Sequence, residues 1–393
     1  MASQALCGAR VFTGEQFLDG HAVLVDGARV QDLRPVADVS AGCPRHDLSG
    51  GTLAPGFIDA QVNGGGGVLF NEARNAEGVA AIAAAHARHG TTGLLPTFIT
   101  DREDCRVEAV AAVREAVAAG APGILGIHLE GPFLTPARKG AHDPGLIRPM
   151  TDADVDALLG TGLRTVLLTV AAEAVSPPQI RRLAEGGVIV SLGHSDASYE
   201  AVATAADAGA RGVTHLFNAM SQLGHRAPGL VGAALDGGGL WAGLIADGHH
   251  VHPAALRVAL RAKQGPARLF LVSDAMPPAG SRNDTFTLNG RTVTRRGGRL
   301  TLADGTLAGS DLTMDRAVRF AVEHLHQPLA EALRMASLYP AQFLRLDADR
   351  GRIAPGFSAD MVLLDGNLSV RATWIAGVVT PGFGHPPPAV QAP

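Results

Sequence analysis

From Ala54-Pro55-Gly56 onward, apolar runs of about eight residues alternate with alanine-rich stretches whose apolar positions recur at helical spacing. Eight such runs start at Gly56 (GFIDAQVN), Thr92 (TGLLPTF), Ile124 (ILGIHLE), Thr165 (TVLLTV), Val188 (VIVSLGH), Gly212 (GVTHLFN), Trp241 (WAGLIAD) and Arg268 (RLFLVSD). Successive starts lie 36, 32, 41, 23, 24, 29 and 27 residues apart, close to one strand plus one returning helix. The runs are apolar throughout rather than alternating, which places them in strands buried on both faces, as in a parallel sheet covered by helices. The segments between them carry helix punctuation. Thr151 followed by Asp154 has the form of a capping box, Ser176-Pro177 and His252-Pro253 put proline at a first helical position, and Gly120 closes a helix over 103–119. The pattern predicts an α/β chain whose centre is a (β/α)8 TIM-like barrel.

The two ends read differently. In residues 1–54, Val23, Val25 and Val30 flank Asp26-Gly27, a hairpin dipeptide between β-branched residues. After the eighth run, Asn289-Gly290 within TFTLNGRTVTRRGGRLTLADGT marks a second hairpin, expected near 284–306 over the barrel mouth. Helices resume over 311–346, and GRIAPGFSADMVLLD begins another short β stretch. The expected organisation is a small β-sandwich domain from 1–54 and 351–393, with a loose tail from about 384, around a barrel over 55–350.

Composition narrows the field of functions. Hydrophobic residues make up 46% and charged residues 18%, enough apolar material for a large core. A net charge of -4 excludes a nucleic-acid binder that works by bulk basic charge. Cys7, Cys43 and Cys105 stand far apart, in neither a thiolate zinc pattern nor a disulfide framework. No basic leader precedes an apolar stretch, and no run reaches membrane-spanning length. The expectation is a cytoplasmic protein that binds neither membrane nor nucleic acid.

In such a barrel the active site lies at the C-terminal ends of the strands, so the polar residues that end the eight runs are the candidates. They are Asp59, Gln61 and Asn63, then His128 and Glu130, His194, His215 and Asn218, Asp247, and Asp274. Two histidines and a carboxylate converging from different strands give three ligands and leave a coordination position open for water, the arrangement of catalytic zinc. Each histidine alone could equally be a core residue bonded to backbone. Several strand ends agreeing on one rim favour the metal.

The segments LAPGFIDAQVNGGGG, GIHLEGPFLTPARKGAH, SLGHSDAS, THLFNAM, HRAPGL, IADGHHVHP, LVSDAMPPAG and LAGSDLTMD, in this order over nearly the whole chain, resemble the N-acetylglucosamine-6-phosphate deacetylases of the amidohydrolase superfamily. The resemblance implies that Glu130, His194 and His215 bind a divalent ion together with a water, zinc or else Fe2+, Co2+ or Mn2+. It implies Asp274 as general base and His142 as a contact near the scissile amide. It further implies that Asn218 and the backbone of Ala219 hold the ligand, that Arg226 and His250 face the phosphate, and that the chain is a homodimer with Arg226 reaching the neighbouring site. The activity implied is hydrolysis of the N-acetyl group of N-acetyl-D-glucosamine 6-phosphate, in amino-sugar catabolism and cell-wall recycling, with the galactosamine epimer as the alternative substrate.

One departure matters. Many superfamily members end the first strand with His-x-His, which supplies a second metal; here Gln61 and Asn63 stand there. Neutral amides are poor zinc ligands beside imidazole, so one ion is expected. A cyclic amidohydrolase would want a bridging lysine on strand four, yet lysine occurs only at 139 and 263. A deaminase would want the missing histidine pair. A non-catalytic scaffold has no need of Glu130, His194, His215 and Asp274 together.

Overall fold

A computed structural model describes residues 4–381. The expected loose tail from about 384 lies outside the described residues. Eight parallel strands form the centre: β1 (Phe57–Val62), β2 (Thr91–Ile99), β3 (Ile127–Glu130), β4 (Val166–Val170), β5 (Ile189–Leu192), β6 (Gly212–Val213), β7 (Trp241–Ile245) and β8 (Leu269–Val272). Each pairs with the next in chain order, and every residue of the eight is buried. That double burial is why the runs lack polar alternation. The sheet closes where β1 meets β8. Val62 bridges Ala275 in parallel, the Asp274 N–H donates to the Gln61 carbonyl (3.0 Å), and the Ser273 N–H donates to the Asp59 carboxylate (3.1 Å). The seam therefore runs beneath the residues expected to do chemistry.

Helices cover the barrel, among them Ala76–Ala87, Glu103–Ala118 and Asp152–Leu159. The last begins at a reciprocal Thr151/Asp154 capping box, and Arg148 donates two bonds to the same Asp154 carboxylate (2.7 and 2.6 Å). Helices Pro177–Glu185 and Pro253–Ala262 start on proline, whose missing N–H is no loss in a first turn.

Two parts differ from the pattern. The sixth run is a strand for only two residues, because the backbone turns left-handed at His215 (φ 33°), Phe217 (φ 79°) and Ala219 (φ 49°) and cannot stay in a ladder. The insertion is a four-stranded antiparallel sheet, Thr285–Leu288, Arg291–Arg296, Arg299–Thr301 and Leu307–Ser310, turning at Asn289 and Gly290, both at positive φ. Its Leu288, Val293, Leu300, Leu302 and Ala308 pack on Leu69, Ile99 and Met276 beside the barrel mouth. Two further sheets lie at the chain ends. Thr52–Pro55 pairs antiparallel with Met361–Leu364 inside a six-stranded sheet. A four-stranded sheet contributes Leu6, Val23 and Val25, which pack against Leu53, Met361 and Trp374 of the other.

Candidate active site

Glu130 is the last residue of β3, His194 follows β5 by two residues, His215 follows β6 by two and Asp274 follows β8 by two. His194 (φ 48°), His215 and Asp274 (φ 52°) all sit in the left-handed region, uncommon for side-chain-bearing residues. At each strand end the backbone thus reverses its twist, and all four side chains line one cavity of about 250 Å³ at the mouth.

Within it, His194 Nε2 lies 3.1 Å from His215 Nε2 and 3.2 Å from Glu130 Oε1, and His215 Nε2 lies 3.0 Å from the same oxygen. Four-coordinate zinc with bonds of about 2.0–2.1 Å would set its ligand atoms about 3.3 Å apart. His194 Nδ1 is 2.8 Å from the Arg138 carbonyl, which can only accept, so the proton sits on Nδ1 and the Nε2 lone pair points inward. Two ring nitrogens and a carboxylate oxygen crowded into a buried triangle fit a divalent cation in type, number and spacing.

The electrostatics follow from burial and from these contacts. Burial alone would raise Glu130, but the two imidazoles beside it, His194 and the raised His215, outweigh that and hold the carboxyl well below its ordinary value. Burial lowers His215, and the Glu130 carboxylate overcomes it to leave that imidazole raised. Asp274 is pushed up to about 6, first by burial and then by the Glu130 charge. His142 lies edge-on to His194, ring centroids 4.5 Å apart, with Nδ1 2.8 Å from Thr100 Oγ1; burial takes it down to about 3, so the ring is neutral. His128 sits below, between Thr97 (3.1 Å) and Thr169 (2.8 Å), lowered to about 4 by burial and facing none of the cavity.

Gln61 and Asn63 act as hydrogen-bond donors. Gln61 Nε2 reaches Glu130 Oε1 (3.2 Å) and Asp274 Oδ1 (3.1 Å), and Asn63 Nδ2 reaches the same Asp274 oxygen (2.7 Å). One carboxylate oxygen of Asp274 is thus held by two amides where a second ion would need ligands. Asn218, Ala219 and His250 line the cavity, and His250 Nδ1 bonds Asp247 (2.6 Å). Arg226 does not join them: it is exposed, on the loop after Ser221, and lines no part of its own chain's cavity.

Sequence reasoning missed the walls made by Ile99, Met276, Thr306, Leu307 and Gly309. Three of these belong to the insertion or its approach, and no local pattern marks them as facing a ligand. It also missed the support of His250. The Asp-Gly pair after β7 was the available signal, since Asp247 accepts the N–H groups of His249 and His250 as an Asx turn does.

The amidohydrolase family model matches residues 52–380, and the NagA composite domain model matches residues 4–53. The chain belongs to the amidohydrolase family. The N-acetylgalactosamine-6-phosphate deacetylase of Shewanella sp. (strain ANA-3) is 44% identical over 372 residues, covering 94% of each chain. The N-acetylglucosamine-6-phosphate deacetylase of Homo sapiens is 40% identical over 403 residues, covering 95% of this chain and 96% of the relative. The crystal structure of N-acetylglucosamine-6-phosphate deacetylase from Pasteurella multocida superposes with a TM-score of 0.92 at 36% identity, covering 95% of this chain and 98% of the other.

Proposed function

We propose that the protein hydrolyses the acetamide of N-acetyl-D-glucosamine 6-phosphate, releasing acetate and glucosamine 6-phosphate, in amino-sugar catabolism and cell-wall recycling. The observation that carries this reading is the triangle of Glu130, His194 and His215 beside the buried carboxyl of Asp274 in one cavity. Glu130, His194 and His215 would hold a divalent ion, zinc in this reading, which when bound would supply Lewis acidity toward the amide carbonyl and toward water. Asp274 takes the proton of the attacking water and passes it to the leaving nitrogen, a role suited to a carboxyl raised toward neutrality. Gln61 and Asn63 keep one of its oxygens occupied, so the other does the transfer. His142, neutral and fixed at Nδ1 by Thr100, stands at the carbonyl oxygen as charge develops there.

Asn218 and the backbone of Ala219 hold the sugar phosphate, with His250 and Arg226 on the phosphate. Arg226 supplies this charge to the neighbouring subunit of a homodimer, which accords with its exposure in the single chain. The enzyme works in the cytoplasm on a small molecule, and among the described residues no helix is long and apolar enough to cross a membrane. Within the described residues, we assign the small β domain to 4–54 and 351–381 and the barrel to 55–350.

A second reading has its own support: relatives named N-acetylgalactosamine-6-phosphate deacetylase are 44% and 38% identical to this chain. The test is acetate release from N-acetylglucosamine and N-acetylgalactosamine, each with and without the 6-phosphate. Higher kcat/KM on the galactosamine phosphate would select the second reading; ammonia in place of acetate would refute both.

A further inference from the structure

Asn63 leaves β1 directly and is 2% exposed. Its backbone is pinned on both sides. The Asn63 carbonyl accepts the Phe70 N–H (2.9 Å), and the next N–H, of Gly64, donates to the Ala275 carbonyl (2.9 Å). A side chain at Gly64 would meet the Val68 carbonyl at 2.3 Å, so the turn behind Asn63 is packed solid. The side-chain amide has no freedom to flip either. Asp274 Oδ1, 2.7 Å away, needs an N–H, which puts Nδ2 there and the carbonyl Oδ1 on the other side. That Oδ1 is buried and has no hydrogen-bond partner within the protein. Asn63 nonetheless lines the cavity, beside Glu130, His194 and Asp274. A buried acceptor left unpaired is costly and rare, and one set in a cavity wall has the ligand to pair with.

We infer that Asn63 Oδ1 accepts a hydrogen bond from a substrate hydroxyl on a ring carbon flanking the acetamido-bearing carbon. Asn63 then reads the substrate as well as holding the general base. The inference rests on the deacetylase reading above. Asp274 protonates the leaving nitrogen in that reading, so the nitrogen lies against Asp274. The acetamide N–H is then turned to Asp274, and the next donors within reach of Asn63 are the hydroxyls on the two neighbouring ring carbons, C1 and C3. The carbon that distinguishes glucosamine from galactosamine is one bond farther away. Asn63 accordingly recognises the feature both epimers share and does not choose between them.

The experiment measures kcat/KM for acetate release from N-acetylglucosamine 6-phosphate and from its 1-deoxy and 3-deoxy counterparts, with wild type, Asn63→Ala and Asn63→Ser. A site built around a buried acceptor discriminates against the analogue that lacks the donor. Wild type is expected to disfavour one deoxy analogue by about 10- to 100-fold. In both variants that ratio should fall to within about threefold of unity. Any loosening of Asp274 slows all three substrates alike and divides out of the ratio. Metal content and a cooperative urea transition show that each variant is folded, and the serine variant decides if the alanine variant is not. Ratios near unity in wild type, or ratios unchanged in the variants, overturn the inference while leaving the deacetylase reading standing. A wild type that releases no acetate from the parent of either epimer overturns that reading and the inference with it.

Discussion

Replacing Asp274 by asparagine separates proton transfer from binding, because the surroundings dictate how the new amide must sit. Two N–H donors, from Gln61 at 3.1 Å and Asn63 at 2.7 Å, face Asp274 Oδ1, so only an amide oxygen can occupy that place. The NH2 takes the other oxygen's position, and an amide nitrogen cannot accept a proton. Metal content and substrate affinity should hold while kcat falls by about 10²- to 10⁴-fold, the range a positioned general base contributes. A second consequence concerns stability. Burial and Glu130 raise Asp274 from 3.8 to about 6, so the folded chain keeps this proton where the unfolded chain has lost it. Stability therefore falls as pH rises from about 4 to 6 and stays lowered above that, by about 3 kcal/mol for a shift of this size. The neutral amide escapes this cost. Metal-stripped Asp274→Asn should resist urea better than metal-stripped wild type at pH 7.5 and about equally at pH 4. The assays are acetate release, elemental analysis, calorimetric titration with substrate, and urea unfolding at the two pH values. A variant with normal metal that keeps more than about a tenth of wild-type kcat would move the base elsewhere, with His142 next in line.

Protein dialysed without chelator should carry one equivalent of divalent ion, since amides and not imidazoles stand at positions 61 and 63; two equivalents by elemental analysis would contradict this. Arg226→Ala should lower kcat/KM on the 6-phosphate substrate by about 10- to 100-fold and leave the slow reaction on the unphosphorylated sugar nearly unchanged. Equal losses on both would refute the phosphate role, and mixed Arg226→Ala/Asp274→Asn dimers that recover no activity would refute the crossing between subunits. His86 is fully buried with Nε2 2.9 Å from the Gly64 carbonyl, and burial lowers it to about 4. The unfolded chain binds this proton first, so stability should drop by about 3 kcal/mol as pH falls from 6.5 to 4; urea midpoints of His86→Gln should show a shallower drop over that window.

What the chain reveals by itself is what local periodicity encodes. Eight apolar runs at strand-plus-helix spacing suffice for the barrel, since a strand covered on both faces has no polar alternation to keep. The barrel rule then gathers Glu130, His194, His215 and Asp274 among ten polar residues at the ends of those runs, and the family resemblance singles them out. Tertiary structure decided the rest, through contacts between residues far apart in the chain. Gln61 meets Asp274 across 213 positions, a bond that exists only because β1 and β8 close the barrel. The departure from His-x-His was visible in sequence, but the two hydrogen bonds that Gln61 and Asn63 give to Asp274 were not. The left-handed turns at His194, His215 and Asp274 aim their side chains into the mouth and cut the sixth strand to two residues, since no hydrophobic pattern records a backbone reversal. Thr306 and Leu307 became cavity walls when the insertion folded over Ile99 and Met276, an outcome of how one sheet packs on another.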